Sequence, residues 1–405
     1  MDLKTQILEE AKAMQEELVS YRRFLHQNPE LGLELPVTVQ FVKEKLTEMG
    51  YMPQDCGKSG ILAIAGGKNP GKVFLIRGDM DALPVEEAAE VPFKSENGNM
   101  HACGHDLHTA MMLGAAKLLK SIESDIQGQV KLMFQPAEET LAGAKSMIAA
   151  GILEAPTVDA AMMIHVMTGF PLPAGKVIVS QAGLTAAASD WFEIHVQGKG
   201  GHGAMPNTAV DPINAATHIF QALQSIHSRE IAPGQAVALT IGKFVSGTTS
   251  NVIPDTAHMY GTLRTYEPET RTFVRERMEA IAKATAEALR ATAEVKIIDG
   301  CPALNNDGAL VDSAKQILNE LLPASELLDM SVFASGGRMS GSEDFAYVSE
   351  KVPSLMLGLS AGDAREGFSY PQHHPKAIFD ECVLSKGAAV YAYTAVRWLA
   401  CHTEA

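Results

Sequence analysis

Between Ala188 and Ile298 the spacing of apolar residues changes, and that change constrains the fold more than any other feature of the chain. Alternation of period two predicts strands over about Trp191–Val196, Ala236–Val245, Ala257–Thr265 and Glu294–Ile298. Helical spacing predicts helices over about Pro206–Ile226 and Pro268–Ala291. The order β-α-β-β-α-β is the ferredoxin-like arrangement, and it is complete in itself. The segment 185–300 therefore reads as a domain inserted into another, whose two parts are 1–184 and 301–405.

The flanking parts read differently. Apolar positions at helical spacing run from about Leu3 to His26, until Asn28-Pro29-Glu30-Leu31-Gly32 ends the pattern. A helix from about Pro36 to Met49 stops at Gly50, and strand-like runs follow at 61–65 and 73–76. Further on come a helix at 109–121, a strand at 129–134, a short helix at 142–150 and an apolar strand at 160–164. After the insertion the pattern resumes with a helix at 310–321, a strand at 354–359 and a closing helix at 381–399. Apolar strands alternating with helices predict an α/β domain whose sheet is covered on both faces. In such sheets, polar residues just beyond strand ends form the sites.

Formal charge is −15, spread along the chain, which argues against nucleic acid and anionic membrane as partners and for a soluble protein. The five cysteines are few, odd in number and widely spaced, so they read as reduced thiols of a cytoplasmic protein. The N-terminus opens a charged amphipathic helix without an apolar signal core, and no apolar run reaches the ~20 residues of a membrane span.

Five polar clusters stand at strand ends or loop starts. The densest is Asn99 to His108, with one thiol, three imidazoles and one carboxylate; Gly104 lets Cys103 and His105 turn toward one point. Thiolate and imidazole suit zinc and similar ions, whereas the alternative is a polar loop with a buried cysteine. Asp79 and Asp81 follow a strand at i and i+2, so one carboxylate could orient a ligand while the other meets a nearby group; a solvated turn is the alternative. Glu138-Glu139 could divide two tasks, one binding metal and the other taking a proton from water. His165 closes an apolar run, where taken alone a satisfied core histidine is the better reading, and His373-His374-Pro375 is weak alone. Three glycines around His202 suggest close approach of backbone to something. Arg264, at a strand end, could clamp a carboxylate or be a surface charge. No Gly-x-Ser-x-Gly elbow, P-loop or dinucleotide fingerprint occurs.

Taken together these segments resemble the M20 family of metallopeptidases. The likeness is to its amidohydrolase branch of N-acyl-amino-acid amidohydrolases (aminoacylases), hippurate hydrolases and plant auxin-conjugate hydrolases. The matching segments are Arg22 to Glu30, Arg77 to Pro84, Met100 to Asp106, Phe134 to Glu139, Gly200-Gly201-His202, Asn251 to Pro254, Gly261 to Arg264 and Gly341 to Phe345. The resemblance implies a di-metal α/β catalytic domain interrupted by a ferredoxin-like lid that pairs subunits, giving a homodimer or higher homo-oligomer. By matching motifs it implies Cys103, His105, Glu139, His165 and His373 as metal ligands and Glu138 as general base. His202, Asn251 and Arg264 would contact substrate, and Asp79 and Asp81 would support the ligands from behind. His374 falls where the family varies, Asn207 where relatives often carry His, and Gly203 where Ala is usual.

The implied reaction is hydrolysis of an N-acyl amino acid to a carboxylic acid and a free amino acid, with two divalent ions per subunit. A thiolate and three imidazoles favour zinc, and the carboxylates leave manganese, cobalt or nickel open. Alternatives are a dipeptidase or N-acetyl-diaminopimelate deacetylase of the same fold, and a non-catalytic metal-binding relative. An intact Glu138 speaks against the last, since binding alone needs no base.

Overall fold

A computed structural model describes residues 2–332 and 337–403. They form two compact units: Met1–Thr185 with Asn305–Arg338 and Asp344–Ala405, and Ala186–Leu304 with Met339–Glu343.

The first unit is built on an eight-stranded sheet. Its order is Gln54–Asp55, Ile61–Gly66, Gln127–Gln135, Asn69–Asp79, Ala160–Met167, Ser354–Ser360, Val177–Val179, Leu327–Asp329. The central four strands, Gln127–Gln135 through Ser354–Ser360, are mutually parallel. Their C-terminal halves are buried, as a sheet covered on both faces requires, except at His165 and Met167, which are half-buried. Helices His105–Ser121 and Leu384–Cys401 pack on each other and on strand Asn69–Asp79. Tyr391 of the latter donates its hydroxyl hydrogen to Arg77 O at 2.7 Å and accepts from Ile164 N at 2.8 Å, pinning two central strands just before their active ends.

Local structure departs from the sequence reading at four places. The first helix breaks at Met14 into Leu3–Ala13 and Gln15–Gln27. The helix expected from Thr109 begins at His105, because Gly104 supplies a left-handed turn that period alone does not reveal. His165 lies inside strand Ala160–Met167 instead of terminating it. The helix expected from Pro206 is a single 3₁₀ turn, Pro206–Thr208, followed by helix Pro212–Ser225, which Asp211 caps through its side chain on Ile213 N and Asn214 N.

The second unit has a four-stranded antiparallel sheet in the order Val237–Ser246, Thr256–Thr265, Ala188–Gln197, Thr292–Asp299. Phe192, Ile194 and Val196 point to one face, where they meet Ala215, Ile219 and Leu223 of one helix and Val274, Met278 and Ala282 of Pro268–Ala288. The i, i+4 spacing of that last trio is the stripe that holds the helix down; cutting Met278 to alanine there would cost about 2–5 kcal/mol. A two-residue ribbon, Gly201–His202 paired with Val252–Ile253, was not foreseen.

Candidate metal centre

The four central strands of the first unit all end at one edge, which is why residues far apart in sequence meet there. Asp79 lies in register with Gln135, and His165 with Gly358. Gly104 then sets the turn that presents Cys103 and His105. Its φ is +92°, and a Cβ added there would stand 2.5 Å from Val166 Cγ2, so no other residue fits.

The three imidazoles of this stretch separate by their hydrogen bonds. His105 Nδ1 donates to the carbonyl of Asp81 at 2.9 Å, which leaves the lone pair on Nε2. That Nε2 is buried and has no hydrogen-bond partner among the described residues. It faces Asp79 Oδ2 at 3.6 Å and Glu138 Oε2 and Glu139 Oε1 at 4.0 Å each. His108 has both nitrogens occupied: Nδ1 donates to Asp79 Oδ1 at 2.5 Å and Nε2 accepts from Val166 N at 2.9 Å. It is therefore a support. His101 is buried, its nitrogens lack partners among the described residues, and burial pulls its pKa down to about 3.

Cys103 Sγ lies 3.3 Å from His373 Nε2 and 3.7 Å from His165 Nε2. His373 Nε2 in turn stands 3.6 Å from Glu139 Oε1, a buried oxygen without a hydrogen-bond partner among the described residues. Among the described residues, five sets of donor atoms lie within 4.8 Å of one another: Cys103-His105-His165, Cys103-Glu139-His373, His105-Glu138-Glu139, Asp79-His105-His108 and Glu138-Glu343-Asp344. The backbone is strained around them, with positive φ at Ala137, Leu141 and His373.

Asp81 explains how two adjacent glutamates stay in place. Its carboxylate accepts from Glu138 N at 3.0 Å and from Glu139 N at 3.1 Å. Asp79 is anchored by Arg77, whose guanidinium donates to it at 2.7 Å and also to Gln135 and Asp344. Burial works against the charge on Asp79, but Arg77, His105 and His108 more than offset it and hold the carboxyl well below its usual range. Burial also works against a charged His105, yet Asp79 and Cys103 raise its pKa. Glu139 is pushed up to about 7, burial being the main cause, and burial pushes the Cys103 thiol up as well.

These features test whether divalent cations fit. An unpaired buried polar atom costs about 1–3 kcal/mol, and here two of them, His105 Nε2 and Glu139 Oε1, face other donors of the same cluster. Thiolate, imidazole and carboxylate are all cation ligands. The group fits.

Sequence reasoning counted His108 among the imidazoles without giving it a role, and it missed Gln372. Gln372 Nε2 approaches Val166 O at 3.1 Å and Cys103 Sγ at 3.8 Å. His108 at i+3 from His105 was a detectable signal; nothing in the sequence marked Gln372. In the second unit, His202 and Asn251 come together across the ribbon, where Gly203 N donates to Asn251 O at 2.9 Å. His202 is exposed, and its Nδ1 accepts from Ala204 N at 3.0 Å. Arg264 sits elsewhere in that unit, at the end of strand Thr256–Thr265, and donates to Ser189 Oγ.

Comparison with known proteins agrees across nearly the full length. Residues 75–397 match the model of peptidase family M20/M25/M40. The chain is 36% identical to thermostable carboxypeptidase 2 of Saccharolobus solfataricus, covering 98% of this chain and 99% of that one. It is 37% identical to N-acetylcysteine deacetylase of Bacillus subtilis, covering 95% and 97%. Among solved structures, the Bacillus subtilis YXEP protein, described as a dinuclear metal-binding peptidase of the M20 family, superposes with a TM-score of 0.80 at 34% identity, covering 96% and 99%.

Proposed function

The chain belongs to peptidase family M20/M25/M40, and from that premise we propose that it hydrolyses the amide bond of N-acyl amino acids with two divalent metal ions. The observation that carries this reading is the adjacent pair Glu138-Glu139, both fixed by Asp81, beside a full set of cation donors. Cys103, His105, Glu139, His165 and His373 hold the ions, zinc or manganese before cobalt or nickel. When bound, the ions supply Lewis acidity that activates water and polarises the amide carbonyl.

The protein's own groups do the rest. Glu138 lies close enough to the donors to take a proton from the attacking water and pass it to the leaving nitrogen. Hydroxide adds to the carbonyl carbon, the C–N bond breaks, and the products are a carboxylic acid and an amino acid. His202 stabilises the developing oxyanion, and Asn251 and Arg264 hold the polar groups of the substrate. We infer a homodimer or higher homo-oligomer formed through the second unit. Its outer strand Val237–Ser246 is exposed along most of its length, with Phe244 and Val245 bare to solvent, as a pairing edge would be. No described helix is long and apolar enough to cross a membrane; the sparse, scattered cysteines support a cytoplasmic setting.

A second reading, peptide rather than acyl-amide cleavage, is favoured by the likeness to a carboxypeptidase. Rates on N-acetyl amino acids, N-benzoyl amino acids and dipeptides, with and without chelator, decide between them. Chelator-sensitive turnover highest on acyl amino acids supports the proposal; turnover confined to dipeptides overturns it.

A further inference from the structure

The helix that carries Arg22 and His26 has no part in the reaction above, yet both side chains meet Asp106, the residue next to His105. We propose that Arg22 and His26 are positioning residues that act through Asp106 to fix the turn Cys103-Gly104-His105, and so set the metal affinity and ligand geometry of the site. The inference rests on reading Cys103 and His105 as ligands.

Asp106 follows His105 immediately and is fully buried. One of its oxygens, Oδ2, accepts from Arg22 Nε at 2.7 Å and faces His26 Nδ1 at 2.8 Å. Arg22 and His26 stand four apart on helix Gln15–Gln27, which places both on one face. The turn they hold pivots on a glycine at φ +92°, so a roll of the first helical turn would carry His105 Nε2 away from the other donors. Arg22 and His26 are themselves fixed. Arg22 donates to Glu381 at 3.2 Å and lies 4.6 Å over the Phe93 ring, and His26 Nε2 meets Glu87 Oε1 at 3.1 Å.

The segment from His26 to Glu30 also fastens the connection over 84–99, which has neither helix nor strand and joins the Asp81 loop to Cys103. Glu87 reaches from His26 to Ser95 N at 2.8 Å, and Pro29 O accepts from Asn97 Nδ2 at 2.9 Å. Just before it, Glu30 O accepts from Ala82 N at 2.8 Å. Stability alone does not account for this arrangement. Burying ions costs several kcal/mol each, and apolar residues of similar volume often do as well or better. What charged and forked donors add here is direction, and the thing they direct is the residue next to a ligand.

The test uses the cobalt-substituted protein. The wild type should show a near-ultraviolet thiolate-to-cobalt band that Cys103→Ser removes. Asp106→Asn and His26→Leu should each bind cobalt about 10- to 100-fold more weakly, with displaced visible ligand-field bands. Asp190→Asn, which breaks a buried ion pair in the second unit, should lower the unfolding midpoint while leaving affinity and spectrum unchanged. If Asp106→Asn does not fold, His26→Leu, which keeps the Arg22–Asp106 pair, carries the test. Wild-type affinity and bands in the folded variants would overturn the proposal. A wild type without the thiolate band would instead overturn the assignment of Cys103 on which it rests.

Discussion

In the first unit the donors Cys103 and His105 are buried, whereas in the second His202 stands exposed on a ribbon of two residues. Enclosure forces each polar atom to show its partner or its lack of one. His108 has two partners, whereas His105 Nε2 has none among the described residues and faces the carboxylates of Asp79, Glu138 and Glu139, so geometry separates these two rings into support and candidate ligand. His202 meets no such demand, because water satisfies an exposed ring. The oxyanion role proposed for His202 is therefore one that mutation and mixed dimers test.

The sharpest way to break this contrast is Glu138→Gln. Loss of the base is expected to lower kcat by about 10²–10⁴-fold while metal analysis of the purified variant still finds both ions. A variant depleted of metal would move Glu138 from base to ligand and erase the division of labour in the first unit. His202→Ala is expected to lose about 10²–10³-fold. If His202 serves the neighbouring subunit, refolding this variant together with Glu138→Gln restores activity in the mixed dimers, and verified heterodimers that stay inactive would confine His202 to its own subunit or to no role. Alkylation sharpens the comparison from the enclosed side: Cys103 should be labelled by iodoacetamide only after chelation, as followed by peptide mass mapping, and equal labelling of both forms counts against coordination.

The smallest expected effect concerns stability. Asp190 is buried and receives Arg271 at 2.6 Å and Arg275 at 3.0 Å. Burial opposes its ionisation, but the two guanidiniums more than offset this and hold its pKa below the usual carboxylate value. Such a depressed group stabilises the folded unit above the unfolded pKa of about 4, and the contribution disappears as pH falls through the folded value. Asp190→Asn should cost at most about 3 kcal/mol, since both arginines are partly exposed. The gap between wild type and variant should close on acidification. A gap that persists at low pH in urea titrations would show that the ion pair is not its source.

Most of the fold was legible because burial leaves periodic traces. The stripes Phe192, Ile194, Val196 and Val274, Met278, Ala282 announce a strand and a helix whatever packs against them. The breaks were not legible. Met14 carries no breaker residue, and the helix start at His105 depends on a left-handed Gly104 wedged against Val166, 62 residues farther along the chain. The accession of Met339–Glu343 to the second unit likewise has no local signature.

For the site the division is similar. Residue chemistry and spacing determined the pool of donors: one thiol, a run of imidazoles and a glutamate pair placed where strands end. Only the tertiary structure decided which of them face one another. Ligand geometry is fixed by contacts between distant segments, such as the Asp81 carbonyl on His105, the Asp81 carboxylate on the Glu138 and Glu139 amides, and Val166 N on His108. Hydrogen-bond direction is a property of folded neighbours, so no local pattern of residues could have encoded it.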